Sequence, residues 1–227
     1  MKETKTVLIK ICGITKPEEA DYLNECEVDY AGFVFYVKSR RNIDFKTAET
    51  IMQRLDRNIK KVAVTVSPDV RLAEDIMRHG FDILQVHKEL SEEVLDSIEI
   101  PVWYAFNMED GNDMSDRLSL LTDKSYAKKV GGILLDAPVF GSGRPFDWHK
   151  SRRLLKAGDR SSPFSGRKFI LAGGLNSTNV REGISIFEPD IVDVSSGVEG
   201  TDGKSKEKIR DFVDAVRWQN DNDRTNI

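Results

Sequence analysis

Apolar positions along this 227-residue chain follow two alternating rhythms. Short segments repeat with a period of two, and the first runs Val7-Leu8-Ile9-Lys10-Ile11-Cys12. There Val7, Ile9 and Ile11 fall on one side, while Leu8, Lys10 and Cys12 fall on the other, as in a strand. The pattern predicts strands near 7–12, 30–36, 60–66, 82–87, 101–106, 131–135, 168–172 and 190–194. Between them the rhythm is helical, near 17–26, 46–57, 69–79, 91–97, 113–128, 147–157, 177–187 and 204–219. Thr15-Lys16-Pro17-Glu18 reads as the first helix start, with a hydroxyl cap, proline in the first turn and acids after it. In the last helix Ile209, Phe212, Val213 and Val216 form one apolar stripe.

Eight strands, each followed by a helix, imply a parallel sheet with right-handed crossovers. Such units also build open doubly wound sheets. The count of eight, and the lack of a glycine-rich fingerprint after the first strand, favour a closed (β/α)8 barrel. No linker divides the chain, so residues 1–227 read as one domain with a polar tail from about 219 expected to fray. The stretch Gly158-Asp159-Arg160-Ser161-Ser162-Pro163 reads as a loop on the bottom face.

Composition narrows the class. Apolar residues make up 39% and charged residues 32%, enough for a sizeable core and a solvated surface. A net charge of −4 argues against non-specific nucleic-acid binding. Two cysteines, Cys12 and Cys26, form no disulfide framework, and with three histidines no Cys/His cluster has metal-ligand spacing, so a structural zinc site is not expected. The polar start Met1–Lys5 has no secretory apolar region, and no segment approaches the ~20 apolar residues of a membrane span. A cytoplasmic protein with reduced thiols is expected, with monomer and homodimer both open.

The chemistry gathers at strand ends, the face where barrel enzymes keep their sites. Cys12 ends the first strand, at a corner where a helix begins and a thiol can be reactive. Asp136 ends the sixth strand, and the two could serve as base and acid. Packing for the thiol, and a cap or salt bridge for the carboxyl, are the plain alternatives; packing suffices for Cys26. Gly173 and Gly174 after the seventh strand, with Ser196 and Gly197 after the eighth, fit a phosphate cradle in the two loops where this fold usually places one. Arg41, after the second strand, has a planar fork suited to a substrate carboxylate, though it could be a plain surface arginine. His87 ends the fourth strand and either lines the mouth or satisfies a loop carbonyl. Lys10 shares the parity of Cys12, so an inward thiol brings an inward ammonium needing a partner, for which Asp193 is a candidate. Proton shuttling on a phosphorylated small molecule, without cofactor, points to an isomerase.

Six segments in order then resemble one family: KICGIT at 10–15, GFVFYVKSRRNI at 32–43, LQVH at 84–87, LLDAPVFGSGRPFDW at 134–148, LAGGLNSTNV at 171–180 and DVSSGVEG at 193–200. They are similar to the phosphoribosylanthranilate isomerases of tryptophan biosynthesis, which are (β/α)8 barrels. The resemblance implies a cofactor-free Amadori rearrangement of N-(5′-phosphoribosyl)anthranilate. It gives Asp136 the role of general acid at the ribose ring oxygen and Cys12, as thiolate, that of base at C2′. Arg41 would grip the anthranilate carboxylate, and Gly173, Gly174, Ser196 and Gly197 the phosphate. The chain departs from the family pattern at Ala63-Val64-Thr65-Val66-Ser67, at Gln85-Val86-His87-Lys88 and along Trp103-Tyr104-Ala105-Phe106, near the anthranilate side. Two alternatives stay open. One is the related aldose–ketose isomerase of histidine biosynthesis, which would carry an aspartate at Cys12 and an internal half-barrel repeat. The other is a non-catalytic phosphate-binding barrel, which would have lost the acid or the base.

Overall fold

A computed structural model describes residues 6–107, 124–136 and 166–225. Eight strands, β1 (Leu8–Cys12), β2 (Tyr30–Val34), β3 (Lys60–Thr65), β4 (Ile83–Val86), β5 (Val102–Asn107), β6 (Val130–Asp136), β7 (Lys168–Leu171) and β8 (Ile191–Val194), pair in sequence order. All pairs are parallel, and β8 closes on β1, completing the barrel. The described helices are α1 (Pro17–Glu25), α2 (Phe45–Met52), α3 (Val70–Arg78), α4 (Glu92–Ser97), α5 (Lys124–Lys129), α6 (Val180–Phe187) and α7 (Lys206–Thr225), with a 3₁₀ turn at Ser196–Val198. The helix expected over 147–157, the loop at 158–163 and the first part of the helix expected over 113–128 lie outside the described residues.

Strand alternation sorts the core into two layers. Val7, Ile9 and Ile11 join Leu23, Ile51, Ile76, Phe212 and Val216 between sheet and helices. The opposite parity fills the barrel, where Leu8, Val62, Trp103, Leu134, Ile170 and Ile191 pack together. The same inward parity carries Lys10 and Cys12 on β1 and Asp193 on β8. The bottom of the barrel is therefore a packed apolar plug and its upper end is polar, which confines polar chemistry to the C-terminal mouth.

Three local details differ from the sequence pattern, each for a physical reason. The first helix is capped by Glu19 reaching back, not by the Thr15 hydroxyl: its Oε2 accepts from the backbone N–H of Thr15 at 2.6 Å and of Lys16 at 3.1 Å. Glu19 Oε1 also accepts from Lys204 N–H at 2.6 Å, so one buried carboxylate joins the loop after β1 to the segment before α7. α2 stops at Met52 rather than near 57 because Asn24 captures the next turn. Its amide donates to Arg54 O at 2.7 Å and accepts from Asp56 N at 2.9 Å, so a tertiary contact replaces helical bonds.

α7 runs on through the segment expected to fray and ends at Thr225. No glycine or proline interrupts residues 218–225, and backbone bonds propagate a helix after the apolar stripe has ended. The start of this last stretch is also held sideways, by the Arg181 guanidinium 4.1 Å over the Trp218 ring.

The Glu19 contacts carry a stability prediction. Glu19→Ala orphans three backbone N–H groups and is expected to cost about 3 kcal/mol, since a lost cap and a buried donor left unpaired cost roughly 1–3 kcal/mol each. Urea unfolding of the two proteins checks this; an unchanged midpoint would remove Glu19 from the fold's supports.

Candidate active site

β1, β2, β3, β4, β6, β7 and β8 each send a residue or a following loop to one cavity of about 400 Å³ at the barrel mouth. Among the residues singled out in the sequence, Cys12, Arg41, His87, Asp136, Gly173, Gly174 and Ser196 all line it. Gly197 does not. It sits one step behind, where a Cβ would stand 2.0 Å from the Leu175 carbonyl oxygen, so its missing side chain lets the loop after β8 close on the loop after β7. Gly173 and Gly174 adopt φ of 86° and 72°, backbone that L side chains rarely take, and Ser196 opens the short 3₁₀ turn facing them. This arrangement of positive-φ glycines and a turn suits an anion.

Cys12 ends β1 and lies half-buried. Its backbone carbonyl accepts from Ser195 Oγ at 2.8 Å, which ties the thiol's strand end to the loop after β8. Burial pushes the thiol up from its ordinary range; the nearby charges of Lys10 and Lys204 pull it down and that of Asp193 pushes it up. Asp136 lies on the same cavity, at the end of β6. The expected partner of Lys10 is found: β1 and β8 pair with Lys10 opposite Asp193, and Lys10 Nζ lies 3.0 Å from both carboxylate oxygens. The ammonium is fully buried. Burial disfavours its charge, but Asp193 and Cys12 together outweigh that and hold it above the ordinary lysine range.

Arg41 is aimed by its neighbours. Gly13, at φ 80°, leaves the space its Cδ occupies, since a Cβ there would stand 2.3 Å from that atom. Glu199 Oε1 accepts from Arg41 Nε at 2.6 Å and lies 3.2 Å from Lys204 Nζ, and Glu199 also pairs with Arg40. Burial alone would raise Glu199; the hydrogen bond from Arg41 and the charge of Lys204 outweigh it and hold the carboxyl below its ordinary range. One terminal guanidinium nitrogen, Nη2, is buried with no hydrogen-bond partner among the described residues. An arginine held by its Nε, on a cavity wall, keeps donors for a carboxylate.

His87 faces the cavity beside Gln85, with His87 Nε2 and Gln85 Nε2 2.8 Å apart. Glu199, Lys204 and Gln85 carry no role in the sequence reading, whereas Ser195 belongs to the Ser-Ser-Gly run read there as part of a phosphate cradle. Gln85 had a readable signal, since it shares the inward phase of Ile83 and His87. Lys204 had none, as a lysine at a helix start looks solvent-exposed, yet its side chain is 1% exposed and donates to Ser195 O at 3.1 Å.

Among the described residues no group of three or more His, Cys, Asp or Glu is placed to hold a metal ion, and no helix is long and apolar enough to cross a membrane. A family model described as N-(5'phosphoribosyl)anthranilate (PRA) isomerase matches residues 9–215. An N-(5'-phosphoribosyl)anthranilate isomerase of Clostridium acetobutylicum is 37% identical over 218 residues, covering 93% of this chain and 98% of its own. One from Streptococcus gordonii is 36% identical over 210 residues, covering 92% and 97%. The crystal structure of phosphoribosyl anthranilate isomerase from Thermotoga maritima superposes with a TM-score of 0.78 at 33% identity, over 93% of this chain and 99% of that one. A structure of a phosphoribosyl anthranilate isomerase in complex with reduced 1-(o-carboxyphenylamino)-1-deoxyribulose 5-phosphate matches at 31% identity and a TM-score of 0.73 over the same shares. With a cavity of this make-up at the mouth of a closed eight-stranded barrel, and with matches that run nearly the full length of the chain, the protein belongs to the N-(5′-phosphoribosyl)anthranilate isomerase family.

Proposed function

We propose that this chain catalyses the Amadori rearrangement of N-(5′-phosphoribosyl)anthranilate to 1-(2-carboxyphenylamino)-1-deoxyribulose 5-phosphate, in tryptophan biosynthesis. The observation that carries this reading is that Cys12, Asp136, Arg41, Gly173, Gly174 and Ser196 share one cavity of a size that encloses a small ligand. That substrate carries a carboxylate at one end and a phosphate at the other, and the cavity offers a partner for each. The Arg41 guanidinium suits the first, and the glycine pair facing the Ser196 turn suits the second.

Between those anchors the chemistry is proton transfer. Asp136 gives a proton to the ribose ring oxygen, the C1′–O bond breaks, and the nitrogen lone pair forms a Schiff base. Cys12, as thiolate, takes the C2′ proton, and the released electron pair makes the C1′–C2′ double bond of an enolamine. That species gains a proton at C1′ and loses one from its 2′-hydroxyl to give the ketone. The cycle needs no electron acceptor, since carbon C1′ is reduced as C2′ is oxidised. Cys12 works only as a free thiol, which suits a reducing cytoplasm. No part of the cycle requires a second copy of the chain, so monomer and homodimer serve equally.

The test follows the loss of substrate fluorescence, with the phosphoribosyl imidazole-carboxamide substrate of histidine biosynthesis assayed beside it. Turnover of the first and not the second is expected; the reverse would overturn the reading. Arg41→Ala is expected to raise KM roughly ten- to hundredfold with kcat little changed, because charge-assisted hydrogen bonds are worth about 1.5–3 kcal/mol and this one is made before and during the reaction alike. Steady-state kinetics checks it, and an unchanged KM would take the carboxylate away from Arg41.

A further inference from the structure

Lys10 is a buried cation that the proton transfers above leave without a task. No water reaches it, and its side chain ends inside the barrel one residue-pair below the mouth. A buried ammonium persists only where it is paired, and Asp193 pairs it from the neighbouring strand at 3.0 Å to both oxygens. An ion pair there is a costly way to fill a barrel that Leu8, Leu134 and Ile191 fill with hydrocarbon just below. Gly32 on β2 shows what the position accomplishes. It stands opposite Cys12 in the β1–β2 pairing, and a Cβ there would come within 3.0 Å of Cys12 Sγ and 3.1 Å of Lys10 Nζ. Ammonium and sulfur thus share the space over one glycine, so the lysine's charge has two claimants, a carboxylate on β8 and a sulfur on its own strand.

We propose that Lys10 is a positioning residue for the base, its buried ammonium placed to favour the thiolate form of the Cys12 sulfur against the cost of burial, and that Asp193 sets how much of that charge the sulfur feels. This rests on Cys12 being the base. The charged groups facing the thiol are Lys10 from β1, Asp193 from β8 and Lys204 from before α7, with Arg41, His87 and Asp136 on the same cavity wall. Of these, Lys10 and Asp193 act in opposite senses on the sulfur, the cation favouring the thiolate and the carboxylate opposing it. A purely structural ion pair has no such property: breaking it from either side would loosen the barrel in the same way.

The opposition gives the test. In a Cys26→Ala background, which leaves Cys12 as the one thiol, the rate of iodoacetamide alkylation is measured against pH by mass spectrometry. Lys10→Met is expected to move the midpoint up by about one pH unit or more, slowing alkylation roughly tenfold at a fixed pH below it. Asp193→Asn, which keeps an acceptor for Lys10 but removes the competing charge, is expected to move the midpoint down. A midpoint that stays put in Asp193→Asn, or that moves the same way in both variants, overturns the proposal. Should Lys10→Met fail to fold by circular dichroism, the Asp193→Asn arm decides alone. The pH profile of kcat/KM is recorded in parallel. If alkylation midpoints shift in opposite directions while the kcat/KM profiles do not follow, Lys10 positions the thiol and the assignment of Cys12 as base is what fails.

Discussion

Cys12→Ser is expected to lower kcat by roughly 10²–10⁴-fold, the usual contribution of a positioned proton-transfer group. Serine nearly matches cysteine in shape, so the hydrogen bond from Ser195 to the residue-12 carbonyl and the packing of β1 should survive. What changes is acidity, because a hydroxyl does not ionise where a thiol does. Burial already pushes the Cys12 thiol above its ordinary range, against the opposing pull of Lys10 and Lys204. A thiol raised in this way is mostly protonated at neutral pH, and the thiolate to which the proposed mechanism gives the C2′ proton grows as pH rises. The kcat/KM of the unmodified enzyme should therefore climb about tenfold per pH unit on the acid side of that titration and level off above it. The serine variant should lose that limb. Steady-state kinetics across pH, with thermal unfolding as the check on folding, measures both. Near-normal turnover in Cys12→Ser would assign the base to another group.

Asp136→Asn is expected to lower kcat by a similar roughly 10²–10⁴-fold with KM little changed. The amide occupies the carboxyl's volume at the end of β6 and can still accept a hydrogen bond, but it has no labile proton to give the ring oxygen. The loss should appear in a single-turnover experiment, since ring opening precedes every later step. An Asp136→Asn enzyme within about fivefold of normal turnover would show that ring opening draws its proton from elsewhere. Together the two variants separate acid from base, because only Cys12→Ser should remove the alkaline rise in kcat/KM.

The barrel was legible because alternation and helical spacing are local properties. Val7, Ile9 and Ile11 against Leu8, Lys10 and Cys12 already divide the strand into two sides, and the structure turns the first toward the helices and the second into the barrel. The Lys10–Asp193 pair was legible for the same reason, as two charges of inward parity on strands that a closed barrel must make neighbours. The errors fall where distant segments meet. Asn24 ends α2 early, and Glu19 takes over the cap offered by Thr15; each is a side chain satisfying backbone groups from another element. Lys204 is the clearest case in the site, since only the return of the chain after β8 buries it against Ser195 and Glu199.

The sequence by itself determined the eight-unit alternation, the end of the barrel that carries chemistry and most of the residues that meet there, because strand parity and chain order survive without coordinates. The tertiary structure decided how those residues are held. Glu199 aims Arg41, Gly197 draws the loops after β7 and β8 together, and Lys10, paired with Asp193, meets the Cys12 sulfur above Gly32. Those relations depend on distances of about 3 Å between atoms far apart in the chain, and such distances are fixed only when the barrel closes.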